Sequence, residues 1–213
     1  MRRAVGILAL SALLGLALSG CAKRATDSAA PESLARTSED TSTTSGGAQV
    51  KTIYLGGGCF WGLEKYVGLV QGVAGTEAGY ANGQRDNATY GDGSGYAEVV
   101  KIEYDPEVAP LPFLLDLYYD AVDPTSVNRQ GNDVGVEYRT GIYYTDPADE
   151  AVIRESIAKL QEGYSAPIAV EVGPLVRYSP AEEYHQDYLD KNPGGYCHIP
   201  RKLFDAAKAA RPE

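Results

Sequence analysis

The sequence predicts an α+β fold, an α/β two-layer sandwich with helices packed over a mixed sheet. Two observations predict it. Strand-like and helix-like segments interleave from about Val50 to about Ala206. Both periods are also present: Leu63, Tyr66, Val67 and Val70 recur at helical spacing, while Tyr96 to Tyr104 alternates residue by residue.

Lys51–Leu55 reads as a strand that runs into Gly56-Gly57-Gly58-Cys59-Phe60-Trp61-Gly62. Phe60 to Val70 then reads as a helix, which puts Cys59 at or near its N-terminus. A second strand is expected from Val73 to Tyr80. Polar, glycine-rich loops follow over Asn82–Asn87 and Gly91–Gly95. In the strand from Tyr96 to Tyr104, Glu98 shares a face with Val100 and Ile102, while Lys101 and Glu103 mark the wet face. Leu111–Ala121 forms a short helix with Pro110 and Pro112 at its start. Val122–Glu137 is a long polar, irregular stretch of the kind that carries function in a compact domain. A strand over Arg139–Tyr144 and a helix over Ala148–Gln161 come next, the helix begun by Pro147. A strand over Ile168–Val172 and a short helix over Pro180–Leu189 lead to the turn Asn192-Pro193-Gly194-Gly195 and then Tyr196-Cys197-His198.

The first 49 residues read differently. Arg2 and Arg3 precede an apolar run from Ala4 to Leu18, which is the pattern of a secretory signal peptide and too short to span a bilayer. Leu18-Ser19-Gly20-Cys21 resembles a lipobox. Residues 1–20 are thus expected to be a lipoprotein signal peptide, with Cys21 the lipid-bearing residue and residues 21–49 a flexible linker of Ser, Thr, Ala and charge. Residues 50–213 are the single folded domain, exported and held at the cell envelope by the lipid. Loss of residues 1–20 removes two arginines and no acids, taking the formal net charge from −10 to −12. Such an acidic chain is unsuited to nucleic acid. Met1, the only methionine, leaves with the signal peptide. A chain free of methionine suits an oxidising setting.

Two cysteines then remain, Cys59 and Cys197. In an exported protein two cysteines commonly form a structural disulfide. The surroundings of Cys59 point instead to chemistry. Backbone N–H groups and the dipole at a helix start favour a thiolate, and Phe60 and Trp61 supply an apolar wall. Glu98, on the apolar face of its strand, is a candidate proton donor, because burial keeps a carboxyl protonated. A sulfenic acid formed on Cys59 could condense with the Cys197 thiol. A cysteine hydrolase needs a histidine base, and only His185 and His198 exist. No paired-cysteine metal spacing, P-loop or dinucleotide fingerprint occurs, so neither a metal nor an organic cofactor is expected.

These residues resemble those of the A-type peptide methionine sulfoxide reductases. The resemblance is carried by Gly58-Cys59-Phe60-Trp61-Gly62, Ala88-Thr89-Tyr90, Gly95 to Val100, Asp123-Pro124-Thr125, Asn128 to Arg139, Tyr184 to Leu189 and Gly195-Tyr196-Cys197, in family order. It implies a two-layer sandwich around a ferredoxin-like plait of strands. It implies that Cys59 attacks the sulfur of a methionine-S-sulfoxide and that Glu98 protonates the sulfoxide oxygen. By the same resemblance Tyr90 and Tyr138 hydrogen-bond that oxygen, Asp133 helps position substrate and water, and Gly58, Phe60 and Trp61 bind substrate, the two aromatics receiving its methyl group. Cys197 is implied as the resolving cysteine. Free or protein-bound methionine sulfoxide is the substrate, a thioredoxin-like dithiol the reductant, and the enzyme a monomer without cofactor or metal.

The interval between Tyr90 and Glu98 is shorter than in many relatives, which makes the placement of Tyr90 the open point. No cysteine follows Cys197, so a single internal disulfide is expected. Two other readings share some features: a thiol peroxidase, which has no need of a methyl pocket, and a non-catalytic lipoprotein with a structural Cys59–Cys197 disulfide.

Overall fold

The computed structural model describes residues 49–212. The expected signal peptide, Cys21 with its expected lipid, and almost all of the linker lie outside the described residues. Among those described, no helix is long and apolar enough to cross a membrane.

The first six main elements are β1 (Lys51–Gly56), α1 (Phe60–Gly68), β2 (Val73–Ala81), β3 (Ala97–Tyr104), α2 (Leu111–Ala121) and, after a loop, β6 (Gly141–Tyr144). Within that loop lie a two-residue hairpin, β4 (Arg129–Gln130) with β5 (Asp133–Val134), and a 3-10 turn over Val136–Tyr138. The remainder is α3 (Asp149–Gln161), β7 (Glu171–Pro174), β8 (Tyr178–Pro180), α4 (Tyr188–Lys191) and α5 (Arg201–Ala209). The main sheet has the order β7-β6-β1-β3-β2-β8. Its pairs are antiparallel except β6 with β7, which are parallel. The inner order β6-β1-β3-β2, joined as β-α-β-β-α-β, is the expected plait, and β7 and β8 extend it at either edge.

Helices cover one face. Ile53 and Leu55 of β1 and Val100, Ile102 and Tyr104 of β3 meet Leu63, Tyr66 and Val67 of α1, Leu114, Leu115 and Tyr118 of α2, and Ile153 of α3 in one buried cluster. Fully burying one such side chain stabilises by roughly 1.5–3 kcal/mol, so this face carries the fold. The opposite face is only partly wet. Lys101 and Glu103 pair there at 2.7 Å, but Val99 and Ala97 are sealed beneath Tyr54, Tyr143 and Tyr178 in a second, smaller cluster.

Two elements differ from the sequence reading. The strand expected over Ile168–Val172 runs Glu171–Pro174 instead. The N–H groups of Ile168 and Ala169 are already taken, by the Gln161 side chain at 2.9 Å and the Pro124 carbonyl at 2.7 Å. The helix expected over Pro180–Leu189 is mostly absent. Its first residue closes β8 on β2, and Asp187 is in the left-handed region (φ 51°), which breaks helical continuation before α4. The Gln186 amide binds the backbone of Ala78 and Ala181, so tertiary bonds decide this segment. The C-terminal α5 was not anticipated; Phe204 of α5 packs toward Tyr66 of α1.

Candidate active site

Cys59 is the N-cap of α1 and only 9% exposed. The turn that delivers it is tightly enclosed. Gly58 has φ +79°, and a Cβ there would lie 2.7 Å from Gln130 and 2.8 Å from His198. That glycine therefore serves the seating of the turn against the protein itself. The Gly56 carbonyl accepts the Tyr118 hydroxyl at 2.7 Å, locking the end of β1 onto α2.

Glu98 of β3 is 2% exposed and its Oε2 accepts the N–H of Phe60, the first residue of α1, at 3.1 Å. Burial pushes its carboxyl up to about 8, held back by the Phe60 N–H and raised further by Glu137 and Asp133. It is therefore protonated at neutral pH, as the strand-face pattern predicts. The thiol behaves otherwise than expected. Burial raises the Cys59 pKa, the charge that Glu98 takes on above about 8 adds to that, and the Trp61 N–H only partly opposes it. The expected lowering by the helix start is outweighed, because the sulfur is dry and faced by carboxylates.

Tyr138, on the 3-10 turn, and Tyr90, in the β2–β3 loop, both feel the charges of Glu98 and Cys59 after the larger effect of burial, which raises each phenol. They stay protonated hydrogen-bond donors. The short loop is held by its backbone: the Tyr90 N–H donates to Glu182 at 3.1 Å, and the next N–H, of Gly91, donates to the Tyr96 hydroxyl at 2.8 Å. Tyr90 is 55% exposed. Asp133, on β5, has a buried Oδ2 without a hydrogen-bond partner among the described residues, 3.6 Å from His198 Nδ1. Burial pushes His198 down and Asp133 pulls it back up. The irregular loop that carries Asp133 is pinned by Gln130, whose amide exchanges two 2.8 Å bonds with the backbone of Asp123.

Phe60 is fully buried and packs against Tyr80 and His185. Trp61 is half-buried, stacks on Tyr188 at 3.7 Å and 15°, and donates its indole N–H to His185 Nδ1 at 3.0 Å. That bond places the His185 proton on Nε2, and burial lowers the ring's pKa so that it stays neutral. His185 is 2% exposed. Cys197 is a half-buried free thiol whose S–H reaches the Ile199 carbonyl at 3.4 Å, and Cys59 is free as well. A Cβ on Gly62 would lie 2.8 Å from Cys197 Sγ, so the glycine of α1 makes the space that the second sulfur fills. Among the described residues no cluster of His, Cys, Asp or Glu is arranged to hold a metal.

Three supports of this site, His185, Tyr188 and Glu182, have no role assigned from sequence, although Tyr184 to Leu189 carries the family resemblance. The available signal was the density of aromatic and titratable residues in Glu182-Glu183-Tyr184-His185 and Tyr188.

A thiol that takes up an oxygen atom needs a proton delivered to that oxygen, and Glu98 holds one at neutral pH beside Cys59. The pairing places the chain among thiol-based oxidoreductases. The family model described as peptide methionine sulfoxide reductase matches residues 51–212. The chain is 55% identical over 164 residues to the peptide methionine sulfoxide reductase MsrA of Lachnoclostridium phytofermentans, covering 75% of this chain and 99% of that protein. Mxr1 from Saccharomyces cerevisiae in reduced form superposes with a TM-score of 0.67 at 35% identity, over 72% of this chain and 92% of Mxr1. Mxr1 in complex with Trx2 matches with a TM-score of 0.50 at 25% identity, over 66% and 86%. The chain belongs to the peptide methionine sulfoxide reductase family, in its A type. It is an enzyme, and it reduces methionine sulfoxide.

Proposed function

We propose that Cys59, Glu98 and Cys197 carry the reaction in sequence. The Cys59 sulfur attacks the sulfoxide sulfur while Glu98 delivers its proton to the sulfoxide oxygen. Tyr138 and Tyr90 donate hydrogen bonds to that oxygen, and Asp133 orders substrate and water. The oxygen transfers to Cys59, methionine leaves, and the thiol proton returns to the Glu98 carboxylate. Cys59 is then a sulfenic acid. The Cys197 thiol attacks its sulfur, releasing water and forming the Cys59–Cys197 disulfide. A thioredoxin-like dithiol reduces that disulfide and restores both thiols. Support for that partner is the relative Mxr1, whose structure with Trx2 has this fold. Trp61, with Phe60 beneath, forms the wall for the methyl group, which selects a sulfoxide over a peroxide.

The observation that carries this reading is the buried Glu98 carboxyl, bonded to the first N–H of the helix that Cys59 caps and titrating near 8. Stereochemically resolved methionine sulfoxide tests it. The S epimer should be consumed with a dithiol reductant, hydrogen peroxide much more slowly, and a Cys59→Ser protein should consume neither. Full activity in Cys59→Ser would refute the assignment.

We further propose that Cys21 carries lipid and holds the domain at the cell envelope through the 21–49 linker. The support is Leu18-Ser19-Gly20-Cys21 directly after an apolar run with a basic start. A Cys21→Ser protein should lose its membrane fraction.

A further inference from the structure

Glu64 is a buried carboxylate that the reaction does not use. It lies on α1 at 3% exposure, among Leu63, Tyr66 and Val67. An apolar side chain would suit that face better, since burying a carboxylate costs several kcal/mol unless it is bonded. Its Oε2 accepts the Asp187 N–H at 2.8 Å, while Oε1 has no partner among the described residues. Asp187 is the left-handed residue that stops the preceding turn before α4. On either side of it stand His185, which accepts the Trp61 indole N–H, and Tyr188, which stacks on the Trp61 ring.

Trp61 depends on those contacts. Behind it lies a cavity of about 130 Å³, lined by Trp61, Glu64, Lys65, Thr76, Asp187 and Leu189 among others. The ring therefore has room to shift on that side unless the 185–188 segment is held. Gln186 ties the segment to β2, and the Lys65–Asp190 ion pair crosses at the surface. Exposed pairs of that kind contribute little. Besides the Trp61–His185 bond itself, the Glu64–Asp187 bond is the part-buried tie between the segment and α1, the helix that bears Trp61 and is capped by Cys59.

We propose that Glu64 is a positioning residue that sets substrate specificity: by holding the Asp187 N–H it keeps His185 and Tyr188 on Trp61, and so fixes the size of the pocket for the sulfoxide methyl group. The inference rests on Trp61 being the methyl wall. Loss of the bond widens the pocket without touching the reacting atoms.

Trp61 is the only tryptophan, so its emission reports this contact directly. The full-length protein and its Glu64→Asp, Glu64→Gln, Glu64→Ala and Trp61→Ala variants would be compared on methionine sulfoxide and ethionine sulfoxide. Glu64→Asp and Glu64→Ala should lower the methyl-over-ethyl preference in kcat/KM by about fivefold, the worth of one buried hydrogen bond. They should also shift Trp61 emission and leave Cys59 alkylation by iodoacetamide at the wild-type rate. Glu64→Gln keeps an oxygen acceptor and should preserve preference and emission. If Glu64→Ala does not fold, the milder Asp and Gln pair decides. An unchanged preference in Glu64→Asp, or a loss in Glu64→Asp that Glu64→Gln shares, overturns the proposal. A Trp61→Ala protein that keeps the wild-type preference overturns the methyl wall and the proposal with it, whereas a Trp61 effect without a Glu64→Asp effect overturns Glu64 alone.

Discussion

The Trp61 indole N–H donates to Nδ1 of His185 at 3.0 Å, across 124 positions of sequence. The bond requires a neutral imidazole, and burial keeps His185 below its ordinary pKa. Protonation at low pH puts a hydrogen on Nδ1 and turns an acceptor into a second donor. KM for methionine sulfoxide should therefore rise on acidification, with a matching change in Trp61 fluorescence. His185→Phe removes the acceptor at every pH. It should raise KM about fivefold, the effect of one lost hydrogen bond, and abolish the acid dependence of the emission. Steady-state kinetics and fluorescence across pH check both.

Glu98 predicts the alkaline side. Its carboxyl titrates near 8 because it is buried, and only the protonated form can donate to the sulfoxide oxygen. Single-turnover reduction should fall as pH rises through about 8. Glu98→Gln should keep most of the rate, since an amide still donates, and lose that limb of the profile. Glu98→Ala should slow the chemical step on the order of 10²-fold or more. Equal single-turnover rates for Glu98→Ala and wild type would remove its role.

The same burial makes Glu98 a stability cost. Its folded pKa lies above the ordinary value of 4.5, so between about 4.5 and 8 the folded state holds a proton that the unfolded state has lost. Stability should fall with rising pH across that window and level off above it. Glu98→Gln removes the titration and should gain on the order of 2 kcal/mol at pH 7 to 8. Urea unfolding of both proteins at pH 5 and pH 8 measures it, with the gain confined to the higher pH.

What was legible in the sequence follows from how local each signal is. The β1–α1 turn, the β3 alternation and the helical stripe of α1 declare themselves within a dozen residues, and they put Cys59 at the helix start and Glu98 on the buried face of its strand, as in the structure. The plait was legible through the family resemblance, and the order β6-β1-β3-β2 bears it out. The segment from Tyr178 to Lys191 was not legible, because its conformation is set by partners roughly a hundred residues away: Gln186 on Ala78, Asp187 on Glu64 and Glu182 on Tyr80. The thiol's pKa also escaped prediction. Helix position is a local property, whereas the drying of Cys59 and its exposure to the Glu98 charge are tertiary.

Tyr90 and Tyr138 both feel the charges of Glu98 and Cys59 from different loops, one residue largely exposed and one half-buried. On the proposed mechanism each phenol is a donor to the sulfoxide oxygen, so one should substitute for the other. Tyr90→Phe and Tyr138→Phe should each slow single turnover only a few-fold, about one neutral hydrogen bond's worth. The double variant should slow it on the order of 10²-fold or more, as expected when donors to a developing charge are removed together. A double variant no slower than the product of the singles would mean that the two hydroxyls act independently.

Replacing Gly62 should separate the two proposed chemical steps. As an interior residue of α1, it should be replaceable by alanine with a gain of up to about 1 kcal/mol in helix propensity. The structure predicts the reverse in function, since the new methyl would sit 2.8 Å from Cys197 Sγ and displace it. Cys59 and Glu98 are untouched, so the first turnover to methionine should proceed at close to the wild-type rate. The sulfenic acid on Cys59 then waits for a sulfur that is out of place, and disulfide formation should slow about tenfold or more, the consequence of a misplaced reacting atom. Dimedone trapping should show sulfenic acid persisting in Gly62→Ala and vanishing quickly in the wild type. If both proteins form the disulfide at the same rate, Cys197 does not need the space that Gly62 leaves.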